Sequence, residues 1–431
     1  MKHENFGKDC QVQLHTESKP FMKLVQETAA ELKLQDKEDA FFLVDLGDIV
    51  KKVEMWRQCL PRVEPFYAVK CNPDRAVLRL LAHLGIGFDC ASKKEMSEIV
   101  DLGVEPSRIV FAHTCKPRTD IRYAAQVNVD LMTFDNEEEL RKIKAFFPSA
   151  RLLLRILPPA NFNVQYAFGD KFGCHQLQAS SLLRTARDLG LDVVGVSFHV
   201  GSGVEEGEVY AAAVRSAATV FDEAHALGFH FHILDVGGGF FSAPAVFRPV
   251  AEVLRTALDL HFPEKRKVRI MAEPGRYFVE AAFSLTVTVI AKRRASPRVA
   301  SNGNGVEGLE EKEAFEYYVN DGIHGSFHNV TLGVCNQLME IRPVHPPENA
   351  KRHVSSLWGP TCNGGDKIFS DVMLPELQVG DVINFTQMGA YTICLTTSFN
   401  GIPRPLIFYH CCDTVWEKLF PTDRQTAEPE K

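Results

Sequence analysis

The chain has 431 residues, 45% of them hydrophobic, enough for two domains or for one large α/β barrel with an attachment. A formal net charge of −7 supplies no basic face for nucleic acid or an anionic membrane. No apolar run is long enough to span a bilayer, the opening residues lack the apolar core of a secretory signal, and eleven cysteines without a CxxC pair suit a reduced, cytoplasmic protein with no metal site.

Residues 1–45 are expected to lend a strand, the apolar run at 41–45, to a β-domain. From there to residue 282, short apolar or β-branched runs recur at 66–69, 87–89, 108–112, 130–134, 151–156, 192–199, 231–236 and 268–272. Amphipathic stretches separate them, for example at 74–84, 93–102, 137–147, 180–189 and 208–227. Eight strand–helix units over 46–282 predict an α/β fold of the (β/α)8, TIM-barrel kind, although a doubly wound open sheet alternates in the same way. After Arg276 the alternation stops. Runs at 283–292, 317–320, 382–385, 392–397 and 405–410, parted by Gly and Pro turns, predict a C-terminal all-β domain over 283–415. Residues 295–312 read as a polar, flexible loop, and 416–431 as a polar tail that is disordered over 423–431.

In such a barrel the active site lies at the C-terminal ends of the strands. The residues ending the predicted strands are Lys70, Asp89, His113, Asp135, Arg155, His199, the triplet Gly237-Gly238-Gly239, and Glu273. A lone lysine there would ordinarily snorkel into solvent, but a lysine whose pKa is lowered by burial can form a Schiff base. The glycines could let backbone N–H groups approach a phosphate, or could simply make a tight turn. Glu273 and Arg276 could hold a ring nitrogen and a phosphate, or form a salt bridge on the barrel rim. His199 could stack on a planar cofactor with Ser202 on its phosphate, or be a hydrogen-bonded core histidine; Tyr391 could reach the phosphate or lie in a core. Taken as a set, these are the groups that pyridoxal phosphate requires. An aldolase acting on a sugar phosphate would need the lysine and phosphate site without the ring-nitrogen acid.

The runs PFYAVKCN (65–72), GFDCAS (87–92), GVSFHVGSG (195–203), LDVGGGF (234–240), AEPGRY (272–277), WGPTC (358–362) and MGAYT (388–392) resemble the eukaryotic ornithine decarboxylase family of group IV pyridoxal-phosphate decarboxylases and antizyme inhibitors. The resemblance runs from about residue 41 to 410 and implies an alanine racemase-like fold, a barrel joined to a β-domain. It implies that Lys70 bonds the cofactor as a Schiff base, His199 stacks on its ring and Glu273 meets the ring nitrogen. It also implies that Ser202, Gly238, Gly239, Gly275, Arg276 and Tyr391 hold the phosphate, with Asp89, Glu95 and Arg155 around Lys70. Family enzymes are homodimers with shared sites. On that basis Cys362 would come from the partner subunit to reprotonate the product, and Lys171, Asp366 and Gly389 would lie at the subunit interface.

Substrate positions depart from the family. Two aspartates that grip ornithine's distal ammonium are replaced by Asn363 and, in the aligned Tyr-Asp pair, by Leu332 and Gly333; a family tyrosine is His324. With Phe399 nearby, the pocket is expected to take a neutral aliphatic amino acid of leucine's size and to release a primary amine. Two alternatives follow from the same resemblance: a catalytically inactive, antizyme-inhibitor-like binding protein, or a residual ornithine or lysine decarboxylase. An antizyme-binding element would fall at 117–140, with basic Arg122 and Lys142. A racemase of related fold is disfavoured by Cys362.

Overall fold

A computed structural model describes residues 2–7, 10–16, 19–159, 171–295, 314–333, 338–346 and 349–421. The loop expected at 295–312 (apart from Ala295) and the tail at 423–431 lie outside the described residues. The chain divides into two compact units. One comprises Ile49–Ala281 with Gly389–Cys394; the other comprises Met1–Asp48, Ala282–Met388 and Leu395–Lys431.

The first unit is a closed barrel of eight parallel strands. They are Val63–Ala68, Gly87–Cys90, Ile109–Phe111, Leu131–Phe134, Arg151–Ile156, Asp192–Phe198, Ile233–Asp235 and Arg269–Ala272. The last pairs with the first, closing the ring. Parallel strands with helices outside are covered on both faces, so they read as unbroken apolar runs; Gly87–Cys90 and Leu131–Phe134 are buried at every residue. Inside the ring, Phe66, Val110, Leu131, Leu153, Val194, Ile233 and Met271 form one packed cluster. Room is tight there: a Cβ on Gly195 would lie 1.8 Å from the carbonyl oxygen of Ile233 on the next strand.

Side-chain caps start the helices soon after the strands end. Asp74 accepts from the N–H groups of Ala76 and Val77, Ser92 from Glu95, and Asn136 from Glu139. After the strands ending at Ala68, Cys90 and Phe134, the connection to the next helix is short and capped.

The second unit is a ten-stranded mixed sheet. Phe41–Asp45 lies within it, antiparallel to Phe283–Arg294 and parallel to Leu406–Cys412. The helix Phe21–Leu34 covers that region, packing Leu24, Val25 and Leu32 against Phe41 and Leu43. Among the described residues no helix is long and apolar enough to cross a membrane.

Two expectations are corrected. Residues 392–397 form no strand: Tyr391 has a left-handed φ of 55°, Ile393–Leu395 makes a short 3-10 turn, and Gly389–Cys394 groups with the barrel unit. The polar tail begins later than residue 416. Asp413–Leu419 is a helix whose buried Trp416 packs edge-on against Phe6 at 5.4 Å, because a bulky indole on a short amphipathic run has apolar surface to cover.

Candidate active site

Lys70 sits in the 3-10 turn Val69–Cys71 that ends the first barrel strand, between two buried neighbours. It keeps 42% of its side-chain surface accessible. Asp89 ends the adjacent strand, in register with Ala68, and its Oδ2 accepts directly from the Lys70 ammonium. Burial alone would lower the Lys70 pKa, as the sequence suggested. In the structure Asp89, then Glu273, outweigh burial and hold it above the ordinary lysine value. The amine is a protonated, ion-paired group until something displaces Asp89. The second oxygen of Asp89 is buried without a hydrogen-bond partner, an acceptor aimed into the site.

Two further carboxyls come from neighbouring strands. Glu273 and Asp235 end Arg269–Ala272 and Ile233–Asp235, and both are buried. Burial, then Asp235 and Asp89, push Glu273 well above the usual carboxylate range; burial also raises Asp235. Both carboxyls are thereby biased toward their protonated forms. One Asp235 oxygen accepts from the Gly237 N–H at 2.9 Å, fixing the carboxyl at the entrance of the glycine turn.

His199 is kept neutral by burial, then by Arg155 and Lys70. Its Nδ1 accepts from the Gly201 N–H at 3.1 Å, so the ring proton sits on Nε2 and the imidazole is a flat, uncharged plate. The glycine triplet is a close-approach site. A Cβ would lie 2.2 Å from the Phe198 oxygen at Gly237, 2.4 Å from the Glu273 oxygen at Gly238, and 2.3 Å from the Gly201 oxygen at Gly239. Val204 N–H donates to the Gly239 oxygen, binding the loop that carries Ser202 to this turn.

Gly275 packs against Cys71, where a Cβ would lie 2.8 Å from the Cys71 Cβ. Arg276 is 4% exposed and pairs with Glu280; the Tyr391 ring stands 5.5 Å from its guanidinium carbon. The Tyr391 N–H donates to the Cys71 oxygen at 3.0 Å, tying the phenol to the strand end that carries Lys70. Elsewhere around the ring, Glu95 is part of a helix start, its Oε2 accepting from the Ala91 N–H at 2.5 Å, and Arg155 lies over the Phe172 ring at 5.1 Å. His113, pushed down by burial and then by Lys116, accepts from the Cys115 N–H.

The barrel thus gathers an amine, an acceptor left open beside it, a neutral plate, an acid biased toward its protonated form, a glycine cradle, and an arginine with a phenol. That donor set fits pyridoxal phosphate: aldehyde, ring face, ring nitrogen and phosphate each find a chemically matched group. Among the described residues no group of three or more His, Cys, Asp or Glu side chains could hold a metal ion.

In the second unit His324, Asn363 and Phe399 come together. The Asn363 amide donates to His324 Nε2 at 2.7 Å, its Oδ1 accepts from Gly365 N–H at 2.9 Å, and the His324 and Phe399 rings are 4.6 Å apart. The cleft here is lined by His324, Phe399, Asp321, Thr361 and Thr397 among others. Asn363, Leu332 and Gly333 are not among the residues lining this cleft. Leu332 and Gly333, expected in the same pocket, follow the one-turn helix His328–Thr331 at an exposed corner, because the chain turns there through a left-handed Gly333.

Cys362 is exposed, its N–H donating to Asn400 Oδ1. Lys171 is exposed, with its ammonium 5.0 Å from the Phe172 ring. Asp366 and Gly389, expected at a subunit surface, are instead buried within their own chain. Asp366 accepts from Ile323 N–H and from Thr361 N–H and hydroxyl, and Gly389 is bonded through Asn72 and Glu280. Two residues escaped the sequence reading. Asp235 stood inside a quoted motif, and Glu280 follows Arg276 at the i,i+4 spacing of a helical ion pair.

Residues 46–280 match the family described as pyridoxal-dependent decarboxylase, pyridoxal binding domain. The chain is 43% identical to ornithine decarboxylase of Mus musculus, covering 93% of this chain and 87% of that one. It is 42% identical to antizyme inhibitor 2 of Xenopus laevis, covering 94% and 89%. Among solved structures, the Paramecium bursaria Chlorella virus arginine decarboxylase bound to agmatine is similar with a TM-score of 0.82 at 34% identity, over 90% of this chain and 100% of that one.

Proposed function

This chain belongs to the pyridoxal-dependent decarboxylase family, lyases whose cofactor is pyridoxal phosphate, and we propose that it removes carbon dioxide from a neutral aliphatic amino acid of leucine's size. The cofactor supplies an electron sink for the bond to the departing carboxylate. Lys70 is the amine that bonds it, with Asp89 holding the ammonium beforehand. His199 would lie against the ring, and Glu273 would meet the ring nitrogen. Ser202, Gly238, Gly239, Gly275, Arg276 and Tyr391 receive the phosphate. Cys362, lent by a partner subunit, returns a proton to the product in a cytoplasmic homodimer.

One observation carries the substrate reading: both hydrogen-bonding ends of Asn363 are taken up by Gly365 and His324, beside the Phe399 ring. The family places a carboxylate there; this chain places a neutral amide, which carries no charge to pair with an ammonium and is already engaged with His324 and Gly365. A buried ammonium without a counter-ion costs several kcal/mol, whereas each buried methylene contributes about 0.8 kcal/mol. Leucine is therefore favoured over ornithine and lysine.

The test is to purify the protein, record the visible band of the lysine-bound cofactor, and screen the twenty amino acids for carbon dioxide release. Turnover of leucine, valine or methionine above ornithine supports the reading; robust ornithine turnover with none of these overturns it. Asn363→Asp with Gly333→Asp should shift selectivity toward diamino acids by about 100-fold, roughly 3 kcal/mol. If Asn363→Asp alone produces the shift, Gly333 lies outside the pocket.

The similarity to antizyme inhibitor 2 favours a second reading, a binding protein without turnover. It predicts no visible band and no carbon dioxide from any amino acid. At the segment expected to bind antizyme, Arg122 lies over the Phe146 ring at 4.3 Å, and just beyond it Lys142 pairs with Glu139 at 2.6 Å.

A further inference from the structure

Glu280 has no role in the reading above, yet it is a fully buried carboxylate one helical turn beyond Arg276. It is held from three sides. Its Oε1 takes the Arg276 NH1, its Oε2 accepts from the Ser242 hydroxyl at 3.1 Å, and its backbone oxygen accepts from the Gly389 N–H at 3.1 Å. Gly389 in turn begins the segment that carries Tyr391. Glu280 therefore joins the arginine, the segment of the phenol and the loop at Ser242.

A guanidinium alone in such a place would present a full positive charge to an anion. With a carboxylate behind it, the pair is close to neutral, and a phosphate dianion brought to Arg276 also feels Glu280 at short range in a region that water does not screen. At the neighbouring strand end the Lys70 charge is likewise cancelled by Asp89. With these two cations paired, the direction of N–H groups at the glycine turns and of the tyrosine hydroxyl counts beside charge, and the buried Lys52, donating to the Ser242 oxygen, is a further cation on the Glu280 side.

We propose that Glu280 is a counter-charge behind the phosphate-holding arginine, a positioning residue that fixes the guanidinium and weakens the grip on the phosphate, so that the cofactor is readily exchanged. The proposal rests on Arg276 meeting the cofactor's phosphate. It makes the discrimination between pyridoxal phosphate and pyridoxal, which lacks the phosphate, smaller than Arg276 could give unaided.

The experiment titrates cofactor-free full-length protein with pyridoxal phosphate and with pyridoxal, following the visible band, for the wild type, Glu280→Gln, Glu280→Ala and Arg276→Ala. Glutamine keeps an acceptor for Arg276 and removes the charge, so Glu280→Gln should tighten pyridoxal phosphate about tenfold, slow its release, and leave pyridoxal unchanged. Glu280→Ala should raise the same ratio by less, since the guanidinium loses its tether; it decides the matter should the glutamine variant not fold. Arg276→Ala should collapse the ratio. If it collapses while neither Glu280 variant raises the ratio, the counter-charge is refuted and the phosphate assignment stands. If Arg276→Ala leaves the ratio at the wild-type value, the phosphate assignment fails and the proposal with it.

Discussion

At Lys70 two forces oppose each other. Desolvation favours the neutral amine, while the Asp89 carboxylate in direct contact, and Glu273 beyond it, favour the ammonium and prevail. Nucleophilicity thus waits on loss of the Asp89 contact rather than on ambient pH. Lys70→Arg keeps the ion pair but removes the nucleophile, because a guanidinium cannot deprotonate in a protein. The variant is expected to melt near the wild type and to lack both the visible band and carbon dioxide release; a residual band would show that another amine bonds the cofactor. The residues at this scale were legible to unequal degrees. Lys70, Asp89, His199 and Glu273 could be found because a barrel exposes whatever ends its strands. Asp235 and Glu280 could not be ranked, because they act through Glu273 and Arg276 and their chemistry exists only as a pair. His324, Asn363, Leu332 and Gly333 were recognisable as departures from a family pattern; where the chain turns at Leu332 and Gly333 was not, because the left-handed glycine conformation there is not written in the residue types.

Among the elements, the barrel strands were the easiest to read, since burial on both faces makes them uniformly apolar. The sheet of the second unit was harder. Lys367–Pro375 is buried at Ile368, Leu374 and Pro375 but exposed over Ser370 and Asp371, so it lacks the apolar density of a barrel strand. Packing between strands sets a sharper limit than hydrophobicity does. Gly195→Ala should destabilise the protein by upwards of about 3 kcal/mol, because the new methyl meets a neighbouring backbone carbonyl that cannot rotate away. Gly364→Ala faces open space at an ordinary φ and should be silent. Urea midpoints of the two variants check this; a silent Gly195→Ala would mean the strands can spread.

The sheet unit carries an acid-sensitive joint. His410 lies on Leu406–Cys412, the strand flanked by Gln11–His15 and Phe41–Asp45, and its Nδ1 meets His15 Nε2 at 3.1 Å. Burial, opposed by Asp45 and aided by His15, pushes its pKa down to about 4, against an unfolded value of about 6.5. Above that unfolded value neither state binds the proton and the contribution is complete. As pH falls from about 6.5 to about 4 the unfolded chain takes up a proton that the folded one refuses, so stability is lost across that window, by up to about 3 kcal/mol. His410→Gln should flatten this part of the stability–pH curve relative to the wild type; parallel curves would place the acid sensitivity elsewhere.

The segment Gly389–Cys394 has an implication for how such a barrel can be separated from its neighbour. Tyr391 belongs to the barrel unit but is encoded more than a hundred residues after the last barrel strand, beyond most of the sheet. No single cut in the gene releases the barrel with its phenol: a chain ending at Ala281 keeps Lys70, His199 and Glu273 yet lacks Tyr391 and the peptide that anchors it to Cys71. Recombination between relatives at one crossover between the two units would join a barrel to another relative's Tyr391 segment.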